Sequence, residues 1–348
     1  MTRVLIVAGS AVARKMIRTL LASDPEIEVV GTAMNASIAS RKIRLEQPDV
    51  LTLDVETQEF DGIGFLRDLM RTSPMPVVMM SNSTGCDAKV AFEAMELGAV
   101  DYVSKSVADA GSETVKNADE IIRKVKAAAQ ANVVGSNSIP SKPQAPKRIE
   151  VPSAIGREYM VIAIGASTGG TEAIKDVLSR LSGPIPGIVL CQHIPGTFSK
   201  AFAERLNQNT EISVCQAQDG QPILPGRAYL APGDRHLRIE RSGNGLLCRL
   251  DNGPQVNRHK PSVDVMFKSV AQSVGAKAVG VLLTGMGDDG SESLGLMRAS
   301  GAVTIAQDEA SSVVWGMPGE AVKRGHVDQV MPLQQIGAKI MRLVSKPD

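Results

Sequence analysis

Two regions of the chain alternate short apolar runs with amphipathic stretches, and a region of different character lies between them. In the first region, helical periodicity over residues 13–21 and 64–71 separates runs that have the character of strands. The apolar runs lie at residues 4–7, 29–31, 50–53, 77–80 and 102–103. Strands that are buried on both faces read as continuous apolar runs. The alternation therefore predicts a doubly wound α/β domain, with a five-stranded parallel sheet between two layers of helices.

The second region has a similar pattern with one difference. Helical segments separate the strands that are predicted to be parallel, at residues 161–164, 188–190, 278–283 and 303–306. Antiparallel strands are predicted at residues 228–231, 236–239 and 246–250, and the sequence SGNG at residues 242–245 is typical of a hairpin turn. The second region is therefore predicted to be a Rossmann-like parallel α/β domain with an inserted antiparallel β-hairpin.

The region between them has the composition of a linker. Residues 131–156, which include SNSIPSKPQAPKR, are rich in Ser, Pro, Gln and Lys and have little periodic apolar content. Such a segment is expected to be extended and solvated. An amphipathic helix over residues 115–129 precedes it and closes the first region. The predicted organisation is a first domain at residues 1–126, a linker at 127–156 and a second domain at 157–346.

Composition and charge exclude several classes of partner. The chain has 348 residues, of which 43% are apolar and 3% aromatic, and its formal net charge is +1. It therefore has neither the electrostatic field nor the stacking surfaces expected for binding nucleic acid. No apolar run is long enough to cross a bilayer, and the N-terminus does not have the pattern of a signal peptide. The four cysteines are scattered along the chain and none belongs to a CxxC pair, so we expect reduced thiols in a cytoplasmic protein.

Three polar residues lie at or just after predicted strand ends in the first region: Asp54, Ser81 and Lys105. In an open parallel sheet, ligands lie outside the carboxyl ends of the strands. Each residue alone is typical of a turn, but together they supply the carboxylate, hydroxyl and cation needed to accept a phosphoryl group. This region resembles the receiver domains of two-component response regulators. The resemblance implies that Asp54 is phosphorylated by a histidine kinase, with Ser81 and Lys105 as its switch and charge partners.

One departure from the receiver family concerns its metal site. The family normally carries an acidic pair directly after the first strand, which helps to bind Mg²⁺. Ala8 and Gly9 stand there in this sequence, and neither has a side-chain oxygen, whereas Mg²⁺ requires hard oxygen ligands. We therefore expect Mg²⁺ binding to be weak or absent and phosphorylation of Asp54 to be impaired, unless Glu56 or Glu59 supplies the missing oxygen.

The second region begins with VIAIGASTGG at residues 161–170, an apolar run that ends in small residues around one serine. A phosphate-binding loop would carry a lysine after its last glycine, but a threonine and a glutamate follow here. The glycines also lack the GxGxxG spacing of dinucleotide-binding proteins. The spacing Gly165-x-Ser167-x-Gly169 is instead typical of a nucleophile elbow, in which a serine protrudes from a sharp turn before a helix. The sequence therefore favours Ser167 as a nucleophile.

A serine nucleophile needs a base, and the chain has four histidines. His193 directly follows a predicted strand, at the same end of the sheet as Ser167, and is the best candidate. His236 and His326 are expected to be structural. His259 lies between two basic residues and is expected to belong to a patch that faces the substrate.

The base in turn needs an acid that orients it. The sequence TGMGDDG at residues 284–290 is a glycine-rich turn after a predicted strand, and it contains Asp288 and Asp289. Either carboxylate could orient His193, and one of the two could instead only cap the following helix. The chain order Ser, His, Asp differs from the order in α/β-hydrolases, so the sequence predicts the same chemistry on a different fold.

Five motifs of the second region resemble, in order, the catalytic domain of the chemotaxis methylesterase family CheB. They are GASTGGTEAI, QHIPGTFSKAFAERL, YLAPGDRHL, NRHKPSVDVMF and LLTGMGDDG. The resemblance implies that Ser167 is the nucleophile, His193 the general base and Asp289 its orienting partner. It also implies that the backbone at Thr168 and Met286 forms the oxyanion hole.

The implied reaction is the hydrolysis of glutamate methyl esters, and the deamidation of glutamines, on methyl-accepting chemotaxis receptors. No metal or organic cofactor is expected for it, and a monomer is expected. In this family the unmodified receiver covers the esterase site and phosphorylation relieves the block, so Ala8 and Gly9 imply altered control. Two alternatives remain. One is a phosphorylation-independent scaffold or regulatory protein with weak esterase activity, and the other is a nucleotide-binding oxidoreductase.

Overall fold

The computed structural model of the chain describes residues 1–54, 60–81, 85–104, 112–133 and 161–345. The chain divides into two compact units, Met1–Lys142 and Pro143–Asp348, and the division falls within the predicted linker. The predicted domain limits at residues 126 and 157 stay predictions. Among the described residues, no helix is both long enough and apolar enough to cross a membrane.

The first unit is the predicted doubly wound α/β domain. Its strands are β1 (Thr2–Val7), β2 (Ile27–Ala33), β3 (Val50–Asp54), β4 (Val77–Ser81) and β5 (Asp101–Ser104). Its helices are α1 (Ala11–Leu21), α2 (Ala36–Glu46), α3 (Gly62–Thr72), α4 (Gly85–Glu96) and α5 (Ser112–Ala129). In the described part of this unit the five strands form a parallel sheet in the order β2-β1-β3-β4-β5. The predicted strands and the closing helix are therefore confirmed.

Polar side chains start three of these helices. Ser10, Asn35 and Asp61 each accept a hydrogen bond from the backbone N–H three residues further on, at distances of 3.3, 3.0 and 2.8 Å. A side-chain oxygen at this position satisfies one of the donors that the first turn of a helix leaves open. Between these helices, every residue of β3 is inaccessible or nearly so, whereas the edge strand β2 is buried only at Ile27 and Ala33.

The second unit is built on a larger parallel sheet. Its strands are β6 (Val161–Ala166), β7 (Gly187–Gln192), β8 (Ser213–Gln216), β9 (Arg227–Leu230), β12 (Ala278–Leu282), β13 (Val303–Gln307) and β14 (Gln329–Met331), with the hairpin strands β10 (His236–Ser242) and β11 (Gly245–Asp251). Its α-helices are α6 (Gly170–Ser179), α7 (Gly196–Asn209), α8 (Val263–Ser273), α9 (Ser291–Ala299), α10 (Met317–Lys323) and α11 (Leu333–Val344). In this described range the sheet order is β14-β13-β12-β6-β7-β9-β8, and the hairpin forms a separate antiparallel pair.

The predicted direction of one strand was wrong. Residues 228–231 were expected to be antiparallel, but β9 pairs in parallel with β7 on one side and β8 on the other. Residues 217–226 return the chain from β8 without a helix, so the helical periodicity that usually marks a parallel crossover is missing here. The short edge strands β8 and β14 were not predicted, because three or four partly exposed residues give little periodic signal.

The central strands of this sheet bring the predicted site residues to one edge. β6 pairs with both β7 and β12, and Ala166 lies opposite Gln192 at the carboxyl ends of β6 and β7. Ser167 and His193 are the next residues on these two strands, and the turn after β12 carries Asp289. The carboxyl ends of adjacent parallel strands therefore converge on the predicted site.

Candidate active site

Ser167 occupies the predicted sharp turn between a strand and a helix. Its backbone N–H donates to the carbonyl oxygen of Thr284 at 3.0 Å, and its own carbonyl accepts from the N–H of Gly170 at 2.7 Å. Gly169 has a φ of 75°, a left-handed conformation that glycine adopts without strain. A Cβ at Gly285 would lie 2.8 Å from the Cβ of Ser167, so only glycine allows this approach of the two turns. The turn holds Ser167 just before the N-terminus of α6.

A glutamine joins the Ser167 turn to the His193 turn. The side-chain amide of Gln192 donates from Nε2 to the carbonyl oxygen of Ser167 at 2.8 Å and to that of His193 at 3.2 Å. The N–H of His193 also donates to the carbonyl oxygen of Ala166 at 3.2 Å. These bonds fix the two turns against each other. The sequence analysis missed Gln192, although a polar residue at the end of a buried strand is a usable signal.

His193 and Asp289 are in direct contact. Nε2 of His193 lies 2.8 Å from Oδ2 of Asp289, and only 7% of the histidine side chain is exposed. Nδ1 of His193 is buried, and it has no hydrogen-bond partner among the described residues. An ionised carboxylate only accepts, so Nε2 carries the proton and Nδ1 keeps a free electron pair. Within the described residues, the hydroxyl of Ser167 makes no hydrogen bond to either ring nitrogen.

Asp289 is buried at the N-terminus of α8. Its Oδ1 accepts from the hydroxyl of Ser262 at 2.7 Å and from Nδ2 of Asn257 at 3.0 Å, and its Oδ2 accepts from the N–H of Val263 at 2.7 Å. Burial by itself raises the pKa of Asp289, but the hydrogen bond and charge of His193 and the bonds from Ser262 and Asn257 together hold the pKa below its usual range. The helix N-terminus also favours a negative charge. Asp289 is therefore an ionised carboxylate bonded to His193.

The two acidic residues of the turn have different environments. Asp288 is exposed, and its Oδ2 accepts from Arg324 at 3.1 Å. The residue that caps α9 is Gly290, which offers no side-chain oxygen to the helix. The alternative that one aspartate only caps this helix is therefore wrong, and of the pair it is Asp289 that contacts His193.

His236 and His326 make structural contacts, whereas the expectation that His259 faces the substrate stays a prediction. His236 is buried, accepts from the N–H of Ser262 at Nδ1 and contacts the carbonyl oxygen of Pro254 at Nε2. His326 contacts the carbonyl oxygen of Ser291 at 2.8 Å. The ring of His259 lies on the ring of His193, with centroids 3.7 Å apart and planes 10° apart. No sequence pattern pointed to this stacking.

The oxyanion contacts at Thr168 and Met286 stay predictions. Thr168 directly follows Ser167, and its carbonyl oxygen accepts from the hydroxyl of Thr284 at 2.9 Å. Its position just ahead of the ten-residue helix α6 suits a developing negative charge. Met286 follows Gly285, which lies against Ser167.

The first unit places the predicted phosphoacceptor at the end of its central strand. Asp54 ends β3 and is 2% exposed. At the neighbouring end of β1, Nη1 of Arg14 donates to the carbonyl oxygens of Ala8 and Gly9 at 2.6 and 2.7 Å. Ser81 is the last residue of β4.

Comparison with known proteins identifies the family. Residues 162–340 match the family profile described as CheB methylesterase, and residues 4–115 match the response regulator receiver domain. A protein of Hydrogenovibrio crunogenus, named protein-glutamate methylesterase/protein-glutamine glutaminase, is 49% identical over 99% of both chains. The chain belongs to the CheB methylesterase family. A second relative, from Xanthomonas campestris pv. campestris and named protein-glutamate methylesterase/protein-glutamine glutaminase 1, is 50% identical over 98% of this chain and 97% of its own.

A solved CheB structure supports the fold of the second unit. The catalytic domain of the Thermotoga maritima CheB methylesterase is 35% identical, with a TM-score of 0.53. The match covers 53% of this chain and 99% of that one.

The CheB family's receiver implies a metal site that the residues of this chain do not fit. The acidic pair expected after β1 is replaced by Ala8, which is fully buried, and Gly9. These two residues offer only their backbone carbonyl oxygens, and both oxygens already accept hydrogen bonds from the guanidinium of Arg14. A fixed cation in contact with these oxygens opposes a second cation at the same place. The alternative donors Glu56 and Glu59 lie outside the described residues, as does Lys105.

Proposed function

We propose that this CheB family member hydrolyses glutamate methyl esters and deamidates glutamines on chemotaxis receptors, with Ser167, His193 and Asp289 as its catalytic triad. The names of the two relatives, which are each about half identical over nearly the full length, support the reaction. The observation that supports the residues most directly is the 2.8 Å contact between Nε2 of His193 and the buried carboxylate of Asp289. Receptors as the substrate and a histidine kinase as the partner of the receiver are part of this proposal.

In the proposed first step, Oγ of Ser167 attacks the ester carbonyl carbon and Nδ1 of His193 takes the hydroxyl proton. The tetrahedral intermediate collapses with that proton passing to the departing methoxide, so methanol leaves and an acyl-enzyme remains. Water then attacks the acyl carbon, gives its proton to Nδ1 and releases the glutamate with Ser167 restored. With a glutamine substrate the leaving group is ammonia, and the remaining steps are the same.

Asp289 serves this reaction by staying ionised. Its Oδ2 accepts a hydrogen bond from Nε2–H of His193, which leaves Nδ1 available to act as the base. When Nδ1 is protonated, the negative charge of Asp289 stabilises the imidazolium. The N–H of Val263 and the hydroxyl of Ser262 keep the carboxylate in place between turnovers.

Methanol release from methylated receptor tests the proposal. We expect Ser167→Ala to lower the rate by a factor on the order of 10⁶, as for removal of the nucleophile from a comparable triad. Ser213→Ala, on an exposed edge of β8, is the matched control and should leave the rate unchanged. A serine-reactive fluorophosphonate should label the wild type at Ser167. Failure to label Ser167 in a chain that is folded would favour the scaffold alternative, in which the triad is idle.

We also infer that phosphorylation of Asp54 is impaired. The replacement of the acidic pair by Ala8 and Gly9, and the bonds from Arg14 to their carbonyl oxygens, support this inference. After incubation with a small phosphodonor and Mg²⁺, we expect intact-mass measurement to show little phosphate on the wild type. The double variant Ala8→Asp with Gly9→Asp should gain Mg²⁺-dependent phosphorylation. Rapid and nearly complete modification of the wild type would contradict the inference.

A further inference from the structure

A tight turn beside the catalytic histidine has an unusual backbone. The N–H of Val256 donates to the carbonyl oxygen of His259 at 3.0 Å, and the N–H of His259 donates back at 2.9 Å. The two residues between them, Asn257 and Arg258, have φ angles of 51° and 67°. This is the geometry of a type I′ turn, which glycine and asparagine favour and which strains an arginine. The turn therefore adopts a fixed shape at an energetic cost.

The first of the two central residues of this turn, Asn257, is bonded to two buried carboxylates. Nδ2 of Asn257 donates to Oδ2 of Asp264 at 2.5 Å and to Oδ1 of Asp289 at 3.0 Å. The turn is thus fixed to the same carboxylate that orients His193. Its last residue, His259, then places its ring parallel to that of His193 at a centroid distance of 3.7 Å.

We propose that His259 is a positioning residue, which fixes the plane of the His193 ring and, while neutral, stabilises the imidazolium that forms in each turnover. This inference rests on the proposed function, because it concerns the base of the same triad. The bond to Asp289 fixes the direction of Nε2 but still permits rotation of the ring about that direction. A parallel ring at van der Waals distance removes this freedom, and a neutral aromatic face attracts a cation.

The same geometry makes the pair sensitive to a second proton. If His259 is also protonated, two cations face each other across 3.7 Å, and each opposes the charge on the other. The charged or titratable groups of the described residues near the pair include Asp289 on the turn after β12, Asp264 on α8 and Cys191 on β7. Arg258 and Lys260 flank His259 in the sequence. Asp289 is bonded to the ring of His193, so the imidazolium that forms in turnover is favoured on that ring. Protonation of His259 therefore inhibits the base.

Two substitutions in the full chain distinguish the effect of the His259 ring, which stacks on His193, from the effect of its protonation. His259→Phe keeps a flat ring on His193 but cannot be protonated, whereas His259→Ala removes the ring. His326→Gln is the control, because His326 lies elsewhere in the unit and contacts the carbonyl oxygen of Ser291. Methanol release from methylated receptor is measured as kcat and KM between pH 5 and 9, a window that spans the usual range of histidine titration at about 6.5.

We expect His259→Ala to lower kcat by about 10–100-fold with little change in KM, since misplacement of a catalytic group acts mainly on kcat. His259→Phe should retain most of kcat at pH 8. Because phenylalanine carries no charge, kcat of His259→Phe should fall less steeply towards low pH than kcat of the wild type, in which two imidazole rings face each other. His326→Gln should follow the wild type. The proposal is overturned if His259→Ala keeps the wild-type kcat, or if the phenylalanine and alanine variants lose activity equally with the same pH profile.

A second measurement does not depend on turnover. Imidazole ¹⁵N NMR of the full chain follows the titration of His193 in the wild type and in both variants. We expect its midpoint and its tautomer signals to change in His259→Ala and His259→Phe but not in His326→Gln. Titration curves of His193 that superimpose in all four proteins would overturn the proposal. If the triad assignment itself is wrong, Ser167→Ala will release methanol at the wild-type rate, and this result is distinct from those above.

Discussion

Two buried carboxylates near His193, Asp289 and Asp264, have pKa values that are shifted in opposite directions from the ordinary value of an aspartate. The pKa of Asp289 is lowered, as described above, by donors that all point at its oxygens. The pKa of Asp264 is raised, first by burial and then by the negative charge of Asp289, although the N–H of Ser293 opposes the rise. One amide, that of Asn257, donates to both. The pair thus keeps the charge on the carboxylate that contacts His193, which is the arrangement that the base requires.

Arg258 offers a test of backbone strain in the turn that carries His259. Its φ of 67° is left-handed, which costs a residue with a Cβ about 1 kcal/mol or more. We expect Arg258→Gly to be about 1 kcal/mol more stable to urea than Arg258→Ala, because both lose the guanidinium but only glycine relieves the strain. Equilibrium unfolding of the two variants measures this difference. An alanine variant as stable as the glycine variant would mean that the turn is unstrained.

At the site, the sequence predicted where some residues lie but not how others contact them, and the catalytic roles stay predictions. The placement of Ser167 and His193 at neighbouring strand ends was predictable because each directly follows a buried apolar strand, and a GxSxG pattern constrains the backbone. The choice of Asp289 over Asp288 came from the family resemblance, since both occupy the same turn. Asn257 and His259 act through contacts between elements that are distant along the chain, and no local pattern encodes such contacts.

A buried ion pair attaches the last helix of the first unit to its edge strand. On α5, Nζ of Lys124 donates to Oδ1 of Asp101 at 3.0 Å and to the carbonyl oxygen of Tyr102 at 2.8 Å. Lys124 is 7% exposed. Burial by itself lowers the pKa of Lys124, but the charges of Asp101 and Glu120 outweigh it and the pKa is raised. The ammonium is therefore retained in the interior, paired and hydrogen-bonded.

Removing one partner of this pair should be costly. We expect Lys124→Met to lower the free energy of unfolding of the first unit by about 3 kcal/mol, because it removes the ammonium that offsets the buried charge of Asp101. Arg71→Met breaks an exposed pair with Asp68 and is the control, with an expected loss below about 1 kcal/mol. Urea unfolding monitored by circular dichroism measures both. Equal losses in the two variants would show that burial of the Lys124 pair is immaterial.

The pH dependence of this ion pair follows from the direction of the shift. The pKa of Lys124 is higher in the folded protein than its ordinary value of 10.5, so the folded state holds the proton more tightly. The stabilisation is then complete below pH 10.5 and is lost as the pH rises through the folded value. The difference between wild type and Lys124→Met should accordingly stay constant from neutral pH to about pH 9, and decrease only in stronger alkali.

At the level of elements, the sequence predicted most strands, missed the short edge strands β8 and β14, and gave β9 the wrong direction. The five strands of the first unit and the hairpin of the second were confirmed because their apolar runs or turn residues are local signals. The parallel pairing of β9 was not predicted, since strand direction depends on where the chain returns and not on the strand's own residues.

The division of the chain into two compact units predicts that the second can be tested alone. Every residue of the proposed triad, and each described residue that bonds to Asp289, lies between residues 161 and 345. We expect a fragment of residues 157–346 to fold and to react with a fluorophosphonate at Ser167. Circular dichroism and intact-mass measurement check the two expectations. A folded fragment that does not react would mean that the esterase site needs the first unit.

The contact between His193 and Asp289 joins positions 96 residues apart along the chain. Between them lie the hairpin, the strained turn, α8 and β12, so the relay cannot exist in a partly assembled second unit. Contacts between positions so distant along the chain form only when the chain has closed a long loop. Reactivity of Ser167 with the probe during refolding therefore reports that the turn after β12 has joined the sheet, which a signal of helix content does not report.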